Sequence, residues 1–518
     1  MIPVSTQFKE AVYAPVRQTK AKIEFQIVDI DASPDATTTV TSEASISKKA
    51  QISDTVTELS GKLATLEPNY WKLDGSFVLP PKPIETGYQV GWWSNAICGA
   101  DGTFSTPQVI TMQFSKDHSS VGITLFFDTK ANEYASDFTI RFYNSSNVLL
   151  YTETVTGNTL SKYLLEHTFS NYRKIVVTIT KWATGSRRAR VAEISFGIVY
   201  QYTGQEIINA SILEELDTIS NQVTANELKM TLDNQDKRFN ILNLSGVYPA
   251  LQKKQKINPY LGVLKASGDT EYIPMGIFYL SEWKSDEGTM TASFTAYDVM
   301  DLLAQDNFAG GTYSGATLYN IAQAVFTSAG ITDYEIDTAL QSITSSGSLE
   351  KMPHREALQL IAIAGMAAVY SDRVTGKPII KQLSDTALDE TIDFDNVFNS
   401  PKITLDVLIN TIYIDNGNTV YTYVDPSKAA DEQTLSITVN NGLITDATHA
   451  ANVAAWILAE YKKRFLYEIN WRMNPAIAVG DIVTVEDEFS ENKQVRITKQ
   501  EFNFRGYLDG KTNGKAGS

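Results

Sequence analysis

MGIFYLSEWKSDEGTMTASFTAYDVMDLL, residues 275–303, decides the fold. Gly276, Phe278 and Leu280 fall on one face of an extended chain, and Met275, Ile277, Tyr279 and Trp283 on the other. Side chains of a strand alternate between faces, so a strand apolar on both sides is half or wholly enclosed. Ser285, Asp286, Glu287 and Gly288 read as a turn, 289–296 returns as a second β-rich run, and 297–303 becomes helical. Nothing in the stretch is chemical. It predicts a barrel-type scaffold element, and the preceding residues 232–257, LDNQDKRFNILNLSGVYPALQKKQKI, belong to the same unit.

A chain of 518 residues is too long for one core and predicts three to four domains at roughly 100–200 residues each. Hydrophobic content of 43% with 20% charged residues is that of ordinary globular domains, and 25 Tyr and 22 Phe tilt it toward β-structure. The single Cys98 excludes a disulfide framework and a cysteine-rich zinc site. A net charge of −16 argues against nucleic-acid binding, which needs clustered Lys and Arg. No signal peptide is read in residues 1–15, and no run approaches the roughly 18 apolar residues of a membrane span.

Outward from the deciding stretch, residues 20–30 alternate Ile23, Phe25 and Ile27 against polar neighbours, a strand with one wet face. Residues 31–60 are rich in Ser, Thr, Ala and Asp. From about 71 to 200, short strands at 122–127, 138–143, 148–154, 175–180 and 191–199 alternate with polar turns, the pattern of a β-sandwich. That block lies between two segments of another β-domain, as an insertion at an exposed loop would. Helical periodicity starts at Leu318, Ile321, Ala322 and Val325, repeats at Ala357, Leu360, Ile361 and Ala364, and returns behind an Asp446 cap. Strands close the chain at 478–485 and 495–504.

The chemistry-bearing residues are sparse. His118, His167, His354 and His449 lie in unrelated segments without metal-ligand spacing, so each reads as structural and no metal or cofactor is expected. Asp233, Asp236 and Asn240 fail the spacing of a calcium loop and read as a charged turn. Asp385, Asp389, Glu390, Asp393 and Asp395 offer paired carboxylates for glycoside cleavage, against the simpler reading of an acidic surface loop. Trp92 and Trp93 precede Asn95 and Asp101, and Trp182 precedes Arg187, Arg188 and Arg190. Indole faces stack on sugars while Arg and Asp bond hydroxyls, so Trp92, Trp93, Asp101, Trp182, Arg187 and Arg188 are candidates for a surface-sugar site. The competing reading places the tryptophans in the sandwich core and 187–190 in a solvated hairpin.

Residues 232–257 and 275–303, with MPHREALQLIAIAGMAAVYSDRVTGKPII (352–380) and NPAIAVGDIVTV (474–485), resemble tail proteins of phages and prophages of Gram-positive bacteria. The family is that of the baseplate hub or tail-associated proteins, similar in fold to the hub of contractile tails. VGWWSNAICGADGTFSTPQVITMQFS (90–115) and YRKIVVTITKWATGSRRARVAEISFGI (172–198) resemble a galactose-binding-like β-sandwich.

The resemblance implies a multidomain, β-rich α+β chain: two barrel-like hub domains around an α/β domain, plus an inserted antiparallel, jelly-roll-like sandwich. The boundaries expected are 1–36 and 201–300 for the first barrel, 37–200 for the insert and 301–395 for the α/β domain. The second barrel takes 396–505 with a helix at 446–464, and 506–518 is a flexible tail. By the same resemblance the chain is a non-enzymatic homotrimer at a phage tail tip, in a virion or tail-like particle made in the host cytoplasm. Its partners would be distal tail, tail-tube and tape-measure proteins and host cell-wall polysaccharide. No cofactor, specific nucleic acid or membrane span is implied. Relatives often continue into a peptidoglycan hydrolase, whereas this sequence stops at GYLDGKTNGKAGS. A tail-borne glycan or peptidoglycan hydrolase and a free carbohydrate-binding adhesin are the alternatives.

Overall fold

A computed structural model of the chain describes residues 1–79, 88–243, 246–489 and 492–517. The chain divides into two compact units. One comprises residues 1–24, 201–240 and 256–518, the other 25–200 and 241–255.

In the first unit the strands Phe278–Asp286 and Thr291–Tyr297 form the hairpin that the opening stretch predicts. Asp286 closes its turn by accepting from the backbone N–H of Gly288 at 2.9 Å. Ala292, Phe294 and Ala296 point inward. The bulge between Leu280 and Glu282 ends the buried run, which leaves Trp283 only half-buried. Helix Val299–Gln305 follows, capped by Asp298, whose carboxylate accepts from Met300 N.

Thr291–Tyr297 pairs with Glu227–Asp233, and this with Ile207–Glu215. Ile207–Glu215 in turn pairs with Lys493–Phe504, from Ala210 opposite Phe504 to Glu215 opposite Lys499. The ladder continues into Leu508–Ala516, Phe465–Trp471 and Lys402–Leu405. Two β-lobes far apart in sequence therefore share one sheet. Arg373 pins the junction: it pairs with Glu214 and donates to the carbonyls of Pro475 at 2.6 Å and Ile477 at 3.0 Å.

Three boundaries differ from expectation. Residues 508–516, expected in a flexible tail, form a strand paired on both sides. The polar, glycine-rich YLDGKTNGKA hides it, but a Cβ on Gly510 would lie 2.0 Å from the Glu501 carbonyl, and one on Gly514 would lie 2.5 Å from Val495. Small residues are what this packing requires. Ser518 lies outside the described residues.

The second shift concerns helix Ala447–Tyr461, expected with the second barrel. Val453, Ala454 and Ile457 share a core with Leu318, Ile321 and Val325 of helix Leu318–Ser328 and with Ala357, Leu358 and Ile361 of helix His354–Ala364. Ile412 and Ile414 of strand Thr411–Asp415 join them. The α/β module therefore takes in residues beyond 395.

The second unit is the sandwich. Its main sheet pairs the long strands Thr103–Phe126 and Lys162–Trp182, then Ala135–Tyr143 and Leu149–Val155. Trp92–Ile97 pairs separately with Arg188–Val191. The expected boundary at 36/37 moves back to residue 25, within the strand Thr19–Val28, because Phe25 to Val28 and the turn behind them belong to the sandwich unit. His118 fixes that turn. Its Nδ1 meets Asp29 at 2.8 Å and its Nε2 meets Asp35 at 2.9 Å, both ring nitrogens buried against carboxylates.

Candidate functional site

Alternation along Trp92–Ile97 and its register with Arg188–Val191 place the candidate residues. Trp92 lies opposite Val191, Trp93 opposite Arg190 and Ile97 opposite Arg188. Trp92 turns into the main sandwich core and its Nε1 donates to the Ser42 carbonyl at 3.0 Å. Trp93 turns the other way, onto Ala44, Leu63 and Val90, and its Nε1 donates to the Val90 carbonyl at 2.8 Å. Trp182 stands edge-on to Phe127 and donates to Glu133 at 2.7 Å. All three indoles are buried with their single donor satisfied, so none offers a face for sugar stacking. The expected aromatic platform is sandwich core.

The arginines divide in the same way. Arg187 is buried, donating to Glu133 at 3.0 Å and to the Pro68 carbonyl at 2.5 Å. Arg190, also buried, donates to Glu67 at 2.5 Å and lies over the rings of Tyr70 and Trp93 at 4.1 and 4.3 Å. Tyr70 hydrogen-bonds Asp128 at 3.0 Å, and burial drives its phenol well above the ordinary range. These cations hold the loop carrying Glu67, Pro68 and Tyr70 against the sandwich. Arg188 alone reaches the surface, donating to the Ser94 carbonyl at 2.9 Å and standing 3.5 Å from Glu67. Asp101 accepts from the N–H and hydroxyl of Thr103 at 3.0 and 2.9 Å, which hold its carboxyl below the usual range. It shapes a turn.

Of the six candidates, the structure brings Trp93 and Arg188 together on one cleft of about 270 Å³. Ile46, Leu66, Glu67, Asn95 and Ile97 complete its walls. Trp92, Trp182, Arg187 and Asp101 do not line it. Sequence reasoning missed the 64–67 segment, and with it Trp71, which is 42% exposed a few residues further on. The signal was local: Trp71 sits between Pro68 and Asp74-Gly75, where no alternation draws a ring inward.

Several of the other candidate polar groups have structural partners. Glu390 accepts from the Tyr13 hydroxyl at 2.9 Å and pairs with Lys9 at 3.3 Å, while Asp385 pairs with Arg496. His354 contacts the Asp306 carbonyl at 2.9 Å, His449 the Ala364 carbonyl at 2.7 Å, and His167 stacks on Tyr151. Burial pushes the Cys98 thiol up. Among the described residues no cluster of His, Cys, Asp and Glu could hold a metal ion, and no helix is long and apolar enough to cross a membrane.

A β-rich, multidomain scaffold with an inserted sandwich is thus the class that the fold defines. No family model and no curated protein matches the chain. Among solved structures it is similar to phage and prophage tail proteins. The tail protein from Neisseria meningitidis MC58 aligns with TM-score 0.44 and 11% identity over 61% of this chain and 93% of that one. The 43 kDa tail protein of prophage MuSo2 from Shewanella oneidensis gives 0.42 and 14% over 61% and 95%. A chitosan-binding module of the chitosanase/glucanase from Paenibacillus sp. IK-5 gives 0.21 and 16%, over 32% of this chain and 95% of the module.

Proposed function

We propose that the chain is a structural hub of a phage tail or tail-like particle, a homotrimer whose two β-lobes per subunit build a pseudo-sixfold ring on the tail tube. The ladder from Ala210–Phe504 to Glu215–Lys499 carries this reading. It joins two sequence-distant β-lobes in one hydrogen-bonded sheet, as would suit a ring with two lobes per subunit. The sequence resemblance of residues 232–257, 275–303, 352–380 and 474–485 to hub proteins supports the same role. Distal tail, tail-tube and tape-measure proteins are the partners on this reading, and the chain itself carries out no turnover. Native mass of the purified chain together with a low-resolution image tests it: a threefold ring is expected, and a monomer at particle-like concentrations overturns it.

The sandwich cleft favours a second role, weak attachment to host cell-wall polysaccharide. Ile46, Leu66 and Ile97 supply apolar walls, with Asn95 and Arg188 at hand for hydroxyls. A single open site of this kind binds at about the millimolar level, near −4 kcal/mol, and three copies raise attachment by roughly 10²–10⁴. A glycan array with the full chain, alongside Asn95→Ala and Arg188→Ala, decides it. Binding that both variants leave unchanged removes the cleft.

A further inference from the structure

The second β-lobe carries an apolar face that its own strands leave uncovered. Lys402–Leu405 is the terminal strand of the shared sheet: one side pairs with Phe465–Trp471, and among the described residues no strand pairs with the other. The register sets Ile403 opposite Tyr467 and Leu405 opposite Phe465, so these four side chains occupy one face. Ile403 and Leu405 are 45% and 61% exposed there. Beside them opens a cleft of about 370 Å³, lined by Phe394, Ile403, Phe465, Tyr467 and Phe489, with Phe489 86% exposed at its lip. Phe398 and Val407 are exposed on the flanking segments.

The rim of this cleft is acidic. Glu486, Asp487 and Glu488 line it, against a single Lys493. Glu486 and Asp487 are committed to the local backbone, accepting from the N–H groups of Phe394 and Phe489, both at 2.8 Å. An unpaired edge strand invites another strand, and proteins that leave one open usually blunt it with charge or cover it. Here the strand carries exposed Lys402 at its start but still displays Ile403 and Leu405.

We propose that this face docks an extended, basic segment of another protein, added as a strand along Lys402–Leu405 with an apolar side chain seated in the cleft. Strand addition supplies main-chain hydrogen bonds, while the pocket selects alternate side chains. Charge chooses the partner. Lys or Arg beside an apolar anchor complements the rim of Glu486, Asp487 and Glu488. The proposal rests on this face alone and stands whether or not the chain forms a ring.

The test uses the full chain and a labelled synthetic peptide alternating Val and Lys around one central Phe. Its controls are a peptide of the same composition with the lysines clustered at one end, and one with Glu in place of Lys. Fluorescence anisotropy at low and moderate salt is expected to show binding of the alternating peptide, at least about tenfold tighter than either control. Ile403→Lys and Glu488→Lys, both on the surface, should each weaken it by about tenfold. No binding, equal binding of the clustered peptide, or binding unchanged in both variants overturns the proposal. So does a change in the native mass of Ile403→Lys, which would make this face a contact between copies.

Discussion

Glu67 in the sandwich and Asp298 in the α/β module are both buried carboxylates, and their surroundings treat them oppositely. Glu67 meets Arg190 at 2.5 Å and Arg188 at 3.5 Å, and Arg190 is itself wedged between the rings of Tyr70 and Trp93. Asp298 has no ion-pair partner among the described residues. One oxygen caps helix Val299–Gln305 and the other is buried without a hydrogen bond. The sandwich thus uses buried charge to fix a loop on its surface, where a strand core alone would leave residues 64–71 unattached. The α/β module packs aliphatic helices and carries a single carboxylate left over at a helix start.

The largest effect should come from breaking the paired side. Removing one partner of a buried ion pair costs up to about 3–5 kcal/mol, and here Arg190 would keep only the longer contact to Glu133 at 3.5 Å. Glu67→Ala should therefore lower the unfolding free energy of the sandwich by about that much, read from urea curves followed by the fluorescence of its buried tryptophans. Replacing Glu67 and Arg190 together by apolar residues of similar volume should restore most of the loss. A Glu67→Ala cost below about 1 kcal/mol would show that the pair does not anchor the loop.

Asp298 should respond with the opposite sign. Burial pushes its carboxyl up to about 7, so the folded chain binds a proton that the unfolded chain releases near 4. Between those values the folded state holds more protons, and stability falls as pH rises. Asn keeps the cap without the charge. Asp298→Asn should therefore stabilise the module by about 2 kcal/mol at pH 8, with little gain at pH 4. Parallel denaturation curves at the two pH values check this, and a variant destabilised at both would show that the carboxylate has a partner in solution.

A third contrast lies on the acid side. Bonds from Ser115 and His118 hold the Asp35 carboxyl far below the usual range. Its contribution is present above the unfolded carboxyl range and is lost as pH falls toward its folded value. Acid should thus loosen the turn at 29–36 before the α/β core, and His118→Ala should move that loosening to higher pH. Hydrogen exchange of residues 29–36 across acid pH resolves the order. Simultaneous loss of both regions would contradict it.

The same contrast explains what could be read from the sequence. The hairpin at 278–297 and the helices at 318–328 and 354–364 announce themselves because apolar residues fill nearly all their inward positions, at periods of two and 3.6. For Trp92, Trp93 and Trp182 the sequence leaves both core and sugar platform open, because an indole is apolar and polar at once and its pattern does not say whether the N–H meets a carbonyl or water. Arg187 and Arg190 read as a solvated hairpin because long-range partners such as Glu67, more than a hundred residues away, leave no local trace. Strand 508–516 is hidden in the sequence because its close packing requires glycine at 510 and 514, and glycine carries the signal of a flexible tail.

The smallest effect on stability is expected where the sandwich exposes what it elsewhere buries. Trp71 is 42% exposed on the segment that follows Leu66 and Glu67, and no hydrogen bond holds its indole among the described residues. Trp71→Ala should therefore change stability by no more than about 0.5 kcal/mol, the usual range for a surface substitution. Trp93→Ala, by contrast, removes a buried ring over Arg190 and should cost roughly 3–5 kcal/mol. A stability loss comparable with that of Trp93→Ala would instead show that Trp71 packs as core.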